Sequence, residues 1–306
     1  MPRPSWLRIL LGVCVLGAFG LGAALWVTRP EPLAANKLPA DHVDDVENGR
    51  ELFLVGGCLS CHGPDPAQNP QADTALPSGG KPLPTPVGTF FPPNLTPDPE
   101  TGIGDWSPET FANAMLRGVS ANSEHLFPAF PYTSYQHMTV EDVLDLRAYL
   151  MSLPAVRQAP RGDSVPLSAI ARPFIGLWNL LALDGKNFEP DPTRPASWNR
   201  GAYLVEAPGH CGECHTPRDI FLVPERSRYL EGGPHPSEAG KVPSLRGLVG
   251  GRAYATSEDL YDAFKYGEMF GYDGLSSGGM GQVQANLATI DDSDLRAIVD
   301  YLASLK

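Results

Sequence analysis

The first clear pattern in the chain is an apolar segment near its start. Residues 9–27 are nineteen consecutive positions without a charge, and Arg3 and Arg8 precede them. At 1.5 Å per residue, a helix of this length is about 28 Å long, close to the hydrocarbon thickness of a bilayer. The pattern predicts that residues 1–30 form a signal-anchor with one transmembrane helix. A cleaved signal peptide is the alternative, although the apolar segment is long for one and no clear small-x-small site follows it.

Beyond this segment, apolar positions recur with helical spacing in short stretches. Asp44 or Asp45 can cap a helix that ends near Val55. Two later stretches place apolar residues three and four positions apart, on one helix face. They contain Val143, Leu146 and Leu150, and Leu295, Ile298 and Leu302. Thr139 and Asp291 are the candidate N-caps of these two helices, and the Gly- and Pro-rich segments between helices predict long loops.

The chain also repeats itself at a nearly constant offset of 150 to 153 residues. The matching segments are 48–55 with 200–205, 107–111 with 257–260, and 148–153 with 300–305. A constant offset over several landmarks indicates a duplicated domain. We therefore predict an all-α fold with two tandem domains, at 44–155 and 198–306, after the N-terminal transmembrane helix.

The segment between the two domains, residues 156–197, is rich in proline and predicts a linker. Within it, residues 169–183 are apolar enough for a helix. Such a helix can pack between the two domains or rest on a membrane surface. The sequence favours packing, and the membrane surface stays open as an alternative.

The net charge of the chain limits the kinds of partner that it can bind. The part after the apolar segment, residues 31–306, holds 20 of the 23 basic residues and all 35 acidic ones, a formal charge of −15. A surface this acidic argues against nucleic acid as a partner. Arg3 and Arg8 favour the cytoplasmic side of a membrane, so everything after Val27 is expected on the opposite side.

Two copies of one motif carry the candidate chemistry. The pattern Cys-x-x-Cys-His occurs as Cys58-Leu59-Ser60-Cys61-His62 and as Cys211-Gly212-Glu213-Cys214-His215. This spacing is typical of covalent haem attachment, in which the two thiols bond to the haem and the histidine is the proximal iron ligand. A zinc site would gather four ligands in one place, whereas each copy offers three. The motifs therefore predict two covalently bound haem c groups. The fifth cysteine, Cys14, lies in the apolar segment.

These motifs and their flanking segments resemble the cytochrome c subunits of membrane-bound alcohol and gluconate dehydrogenases. The similarity is carried by Pro93-Asn94-Leu95-Thr96-Pro97-Asp98, by Phe127-Pro128-Ala129-Phe130-Pro131-Tyr132 and by Gly209-His210-Cys211-Gly212-Glu213-Cys214-His215-Thr216-Pro217-Arg218. It extends over about 45–306 and implies two tandem cytochrome c-type haem domains. His210, beside the second motif, is expected to be hydrogen-bonded rather than an iron ligand, because His215 fills that role.

The distal ligands are predicted from position. Cytochromes with methionine opposite histidine take it from the loop before the last helix, and the thioether raises the haem potential. Met280 is the expected ligand in the second domain, ahead of Met269. In the first domain the repeat places Phe130 at the corresponding position, so Met138 is the expected replacement. The open alternatives there are His125, His137 and Met115.

Together these features predict a single-pass protein of the bacterial inner membrane with both haem domains in the periplasm. Its expected role is to relay electrons from a periplasmic dehydrogenase to quinone or a terminal oxidase. No general base or nucleophile is evident in the sequence, so we expect no catalytic residues of that kind. The alternative is a dihaem redox enzyme, of the peroxidase or thiosulfate-oxidising type, with one open or weakly ligated haem. Phe130 keeps that alternative open.

Overall fold

The computed structural model describes residues 5–34, 37–67, 69–85, 87–166, 171–236, 240–251, 253–267 and 279–306. Over these ranges the chain is mostly helical, and its strands are short antiparallel pairs of two or three residues. The predicted helical fold is confirmed at this level.

The N-terminal helix α1 spans Ser5–Val27 and covers the predicted apolar segment. Apolar residues occupy all of its faces, and its described side chains are largely exposed in the structure. Within the described ranges it is the one helix long and apolar enough to cross a membrane, and a signal sequence near the N-terminus has the same character. Thr28, the residue directly after it, is buried.

A first helical unit follows. Its helices are α2 (Val46–Val55), α3 (Cys58–His62), α4 (Pro108–Arg117), α5 (Tyr132–Tyr135) and α6 (Val140–Ser152), with a hairpin of β1 (Leu83–Thr85) and β2 (Gly88–Phe90) between α3 and α4. The Asp45 carboxylate accepts the N–H groups of Glu47 and Asn48, which begins α2. Thr139 begins α6 by accepting the N–H of Asp142 at 3.1 Å. Both predicted caps are confirmed, with Asp45 rather than Asp44 in the first.

The linker carries a helix within the segment that the sequence predicts. A 3-10 turn at Arg172–Phe174 leads into helix α7, Ile175–Ala182. Pro173 lies in this turn, where proline is tolerated because its missing N–H costs no hydrogen bond of the following helix. Positions 169 and 170 of the predicted segment lie outside the described residues.

The second unit repeats the order of the first. Its helices are α8 (Ala196–Glu206), α9 (Gly212–His215), α10 (Ser257–Tyr266), α11 (Met280–Leu287) and α12 (Asp292–Ser304), with a 3-10 turn at Arg226–Arg228 and a hairpin of β3 (Gly233–Pro234) and β4 (Lys241–Val242) between α9 and α10. The Asp291 carboxylate accepts the Ser293 N–H at 2.8 Å and begins α12, as predicted.

In both units the first and last helices cross at a glycine. A Cβ on Gly49 of α2 would overlap the carbonyl oxygen of Asp145 in α6, and a Cβ on Gly201 of α8 would overlap that of Ala297 in α12. Only glycine allows the backbones to approach this closely. The two crossings are 152 residues apart, so the sequence repeat is also a repeat of packing.

The two units share one hydrophobic core. Buried side chains of α2, α4 and α6 form a continuous cluster with those of α8, α10 and α12. Polar contacts join the units at the surface of this cluster: the Tyr203 hydroxyl of α8 donates to the Asp142 carboxylate of α6, and the Asp291 N–H donates to Glu51 at 2.9 Å. The position of each unit is therefore fixed by the other.

Candidate haem sites

The first motif forms the short helix α3, which follows α2 after a two-glycine turn. Gly57 has a φ of +56°, a left-handed conformation that favours glycine, and it is the residue directly before the helix that begins at Cys58. Cys58 and Cys61 are three residues apart in a helix, so their side chains lie on the same face. Both are half-buried, and neither forms a disulfide. Burial raises the pKa of the Cys58 thiol to about 12 and also raises the pKa of the Cys61 thiol, which favours the neutral thiol at both positions.

His62 is held by a single backbone acceptor. Its Nδ1–H donates to the carbonyl oxygen of Pro93 at 2.9 Å, which fixes the ring and directs Nε2 as the remaining ligand atom. Burial lowers the pKa of this imidazole, which favours the neutral form that binds metals. The carbonyl of His62 accepts the N–H of Gly79 at 2.7 Å, so the loop after the motif returns to it.

The second motif has the same arrangement. Nδ1–H of His215 donates to the carbonyl oxygen of Pro243 at 2.8 Å, and Gly232 N–H donates to the carbonyl of His215 at 2.7 Å. Burial lowers the pKa of His215 as well. Cys211 is half-buried, with its pKa raised to about 12 by burial, and Cys214 is exposed. The donor set of each motif, two thiols and an imidazole oriented through Nδ1, fits covalently bound haem.

In the first unit the loop before α6 faces the motif. Tyr135 of α5 belongs to the buried cluster against which Cys58 packs, and its ring centroid lies 5.6 Å from that of His210. Burial, and next the proximity of Cys58 and Cys61, raises the pKa of the Tyr135 phenol well above its ordinary value. The Phe130 ring contacts Tyr135 with 5.4 Å between ring centroids. The sequence placed Phe130 on the distal side, and this position beside the motif is compatible with that expectation.

Met138 lies in the hydrophobic core and is 1% exposed. It directly precedes the N-cap of α6, and the residue in the same position before α12 is Ile290, which is also buried. Isoleucine cannot bind iron, so the shared burial gives this position a packing role in both units. The expectation that Met138 is a distal ligand remains a prediction.

The alternative ligands of the first unit have other contacts. The His125 ring is committed on both nitrogens: Nε2–H donates to the Thr28 carbonyl at 2.8 Å, and Nδ1 lies 3.5 Å from the Asn179 amide. The Nδ1–H of His137 donates to the Lys186 carbonyl at 2.7 Å. Met115 is buried within α4. These contacts give both histidines structural roles: His125 binds the residue that follows α1, and His137 binds Lys186 of the linker.

Met280 is the first residue of α11 and packs, half-buried, against the core of the second unit. It lies in the segment before the last helix, where the prediction requires a ligand. The competing Met269 lies outside the described residues.

Three features of the sites were missed or only partly foreseen. The proline carbonyls that orient both histidines carry no side-chain signal, although Pro93-Asn94-Leu95 and Pro243-Ser244-Leu245 share a pattern at the repeat offset. The Glu213 carboxylate inside the second motif accepts hydrogen bonds from Thr133 and Ser134 of the first unit. His210, expected to be hydrogen-bonded, donates through Nε2–H to the Gly56 carbonyl at 3.1 Å, across the two units.

The helical fold and the paired cysteine and histidine geometry define a protein of the covalent-haem class. Comparison with known proteins gives the family: the family model for cytochrome c matches residues 46–154. A dihaem cytochrome c-type protein of Cereibacter sphaeroides is 38% identical over 95% of this chain and 94% of its own length. The chain belongs to the cytochrome c family.

Cytochrome subunits of dehydrogenases are also similar to this chain. The gluconate 2-dehydrogenase cytochrome c subunit of Pantoea cypripedii is 36% identical over 88% of this chain and 62% of its own length. The cytochrome c subunit of the alcohol dehydrogenase (quinone) of Gluconacetobacter polyoxogenes is 34% identical over 85% and 56%. Among the dehydrogenase subunits it matches, the chain spans between a quarter and about three fifths of the relative's length. The resemblance seen in the sequence is thereby confirmed.

Proposed function

We propose that this chain is a membrane-anchored dihaem cytochrome c that passes electrons from a periplasmic dehydrogenase to quinone or a terminal oxidase. The observation that carries the proposal is the duplicated proximal arrangement. In each unit a Cys-x-x-Cys-His motif follows the first helix, and the histidine Nδ1–H donates to a proline carbonyl, at 2.9 Å in one unit and 2.8 Å in the other.

The residues that would hold the two groups are Cys58, Cys61 and His62 in the first unit and Cys211, Cys214 and His215 in the second. When bound, haem c supplies a reversible one-electron couple at its iron. The chain orients the two imidazoles through Pro93 and Pro243 and keeps them neutral by burial. The shared core holds the two motifs at a fixed separation, which electron relay requires.

The proposal keeps Met280 as the distal ligand of the second haem and Met138 as that of the first. Position before the last helix supports Met280. Met138 is supported by its nearness in sequence to α5, which lies beside the first motif. Its burial in the core also fits a packing residue, so the test must distinguish packing from iron binding.

The donor and the acceptor are proposed from the relatives. The similar proteins of Pantoea and Gluconacetobacter are named as cytochrome subunits of dehydrogenases, one of them quinone-linked, which supports a dehydrogenase as the donor and quinone as the acceptor. The formal charge of −15 on residues 31–306 makes nucleic acid an unfavourable partner. An anchor in the inner membrane, formed by α1, would keep the protein beside a membrane quinone.

The experiment is to count covalent haems by mass spectrometry of the chain expressed with cytochrome c maturation machinery. We expect two haem additions in the native chain. The double variants Cys58→Ala with Cys61→Ala, and Cys211→Ala with Cys214→Ala, should each carry one. A chain without haem in such a host would overturn the proposal, and a single haem in the native chain would restrict it to one motif.

The dihaem redox enzyme remains a second candidate because of the first unit's distal side. Phe130 cannot coordinate iron, and Met138 shares its buried position with an isoleucine of the second unit. If neither Met138 nor a histidine binds there, the first iron would have an open position. High-spin signals from one haem in magnetic spectra of the native chain, together with peroxide reduction, would favour this candidate.

A further inference from the structure

One edge of the molecule exposes a group of large apolar side chains. Three are consecutive at the tip of a loop in the second unit: Ile220 is 90% exposed, Phe221 58% and Leu222 50%. Three more are exposed on the linker helix and the turn before it, namely Phe174, Leu180 and Leu181. We call these six residues the apolar edge. Soluble surfaces rarely gather so many large apolar groups without a partner.

The loop tip and the linker helix form one continuous surface. Trp178 of α7 donates its Nε1–H to the carbonyl oxygen of Phe221 at 2.9 Å. Phe174, Trp178 and Leu181 are spaced by four and three residues, so they share one face along the helix and the turn before it. On the opposite side of α7, Gly176 packs on the Thr28 carbonyl and half-buried Asn179 accepts a hydrogen bond from the Tyr132 hydroxyl. The face with Phe174 and Leu181 continues into the loop, and exposed Leu180 lies at the flank of the helix.

The backbone of the loop tip satisfies most of its own hydrogen bonds. The Asp219 carboxylate accepts the N–H groups of Phe221 at 2.8 Å and Val223 at 3.0 Å, and the Asp219 carbonyl accepts that of Leu222. The Leu222 carbonyl accepts a hydrogen bond from Arg218 at 2.8 Å. Hydrocarbon cannot replace water as a partner for polar groups, so only a loop paired in this way can enter it at low cost. The arrangement suits a lipid environment better than a polar partner surface.

The apolar edge lies next to the end of α1. The carbonyl oxygen of Thr28, the residue after α1, accepts the His125 Nε2–H, and Gly176 of α7 packs so closely on this carbonyl that a Cβ would overlap it. Trp178, which holds the loop tip, is two residues from Gly176. Helix α7 has eight residues and is about 12 Å long, so the whole edge lies close to the point where α1 leaves the folded units.

We propose that the apolar edge rests in the interface of the same bilayer that α1 spans. The tip at Ile220 enters the boundary between headgroups and acyl chains, while the charged Arg218 and Asp219 at the base of the loop stay at headgroup level. A single helix leaves the exported units free to rotate and tilt over the membrane, and a second contact fixes their orientation. This inference rests on the proposed anchor.

The test uses the full chain in phosphatidylcholine nanodiscs and a membrane-impermeant, water-soluble maleimide. Native Cys14, in the middle of α1, reports whether α1 is in the bilayer. In a Cys14→Ser background, Ile220→Cys reports the loop tip, and Leu181→Cys reports α7. Val43→Cys is the matched control, because Val43 is also β-branched and is 85% exposed. Peptide-resolved mass spectrometry reads each cysteine separately, so reaction at Cys58 or Cys211 would count against covalent haem without bearing on the edge.

We expect modification at 220 and 181 to be at least ~10-fold slower than at 43, since a thiol in an apolar environment forms little reactive thiolate. Fast reaction at 220 and 181 in these variants, with Cys14 protected in the native chain, would overturn the inference and leave the anchor intact. Protection that begins only when a dehydrogenase is added would assign the edge to that protein and also overturn it. A chain recovered as a water-soluble protein without α1 would overturn both the anchor and this inference.

Discussion

The two helical units agree around the Cys-x-x-Cys-His motif and differ in the segment before the last helix. At the motif the hydrogen bonds from histidine to proline differ by 0.1 Å between units, and each histidine carbonyl accepts a glycine N–H at 2.7 Å. Before the last helix the first unit has the aromatic pair Phe130 and Tyr135, whereas the second has the helix α11 that begins with Met280. The motif geometry is therefore repeated, and the residues proposed as distal ligands are where the two units differ.

The largest effect on the free energy of unfolding is expected at the two helix crossings, which the units share. Gly49→Ala and Gly201→Ala each place a methyl group on a backbone carbonyl, so the helices must move apart. We expect each to lower the free energy of unfolding by about 3 kcal/mol or more, because overpacking at a backbone contact has little room to relax. Urea unfolding followed by circular dichroism measures the loss. Gly22→Ala in α1, where a Cβ meets no atom within 4 Å, is the control. If Gly49→Ala and Gly201→Ala were as stable as Gly22→Ala, the crossings would not require glycine; a loss in only one of them would contradict the equivalence of the two crossings.

Substituting the two methionines proposed as distal ligands tests whether the two units differ in how they bind iron. Met280→Leu should abolish the far-red absorption band of methionine-ligated ferric haem for one of the two irons and lower its potential by a measurable part of the ~0.8 V range that axial ligands cover. Met138→Leu should do the same for the other iron. Ile290→Leu is the matched control, since Ile290 has the same buried position without a sulfur atom. If Met138→Leu and Ile290→Leu behave alike in a redox titration, Met138 is a packing residue.

Removing a hydrogen bond between the two units is expected to lower the free energy of unfolding by a smaller amount. Tyr203→Phe removes the hydroxyl that joins α8 to Asp142 and to the Thr139 N–H, and we expect a loss of about 1–3 kcal/mol because a charged acceptor loses its partner. Tyr301→Phe is the matched control: its hydroxyl donates to Glu206 within the second unit. Hydrogen exchange should show faster opening of α6 in Tyr203→Phe but not in Tyr301→Phe. Identical exchange in the two variants would rule out a role of Tyr203 in holding the units together.

The smallest expected effect is a pH dependence in the linker. Burial works to raise the pKa of Asp184, but the Lys186 N–H and the charges of His137 and Arg226 outweigh it and hold the pKa below its ordinary value. A carboxyl whose folded pKa is lowered stabilises the protein above its unfolded pKa of 3.8, and the stabilisation is lost as pH falls through the folded value. Asp184→Asn should therefore reduce the loss of stability below pH ~4. An unchanged slope of unfolding free energy against pH would contradict this role.

Local signals in the sequence predicted much of this structure. The caps Asp45, Thr139 and Asp291 were identified because a capping side chain acts on an N–H two or three residues away. The repeat predicted that both units have the same helix order. The contacts of His125 with Thr28, of Glu213 with Thr133, and of His210 with Gly56 were not predictable, since each joins segments separated by about 80 to 150 residues and depends on how the units pack. Helix α7 lies inside the segment 169–183, whose run of apolar residues predicted a helix.

The contact of Glu213 with the first unit has a consequence for biogenesis. Glu213 lies between the two cysteines of the second motif, and its carboxylate is covered by Thr133 and Ser134 once the units have packed together. Cys211 and Cys214 on either side of it stay half-buried and exposed, so the thiols can still be reached after packing. An enzyme that modifies the second motif would therefore meet a motif whose central carboxylate the first unit already holds in place.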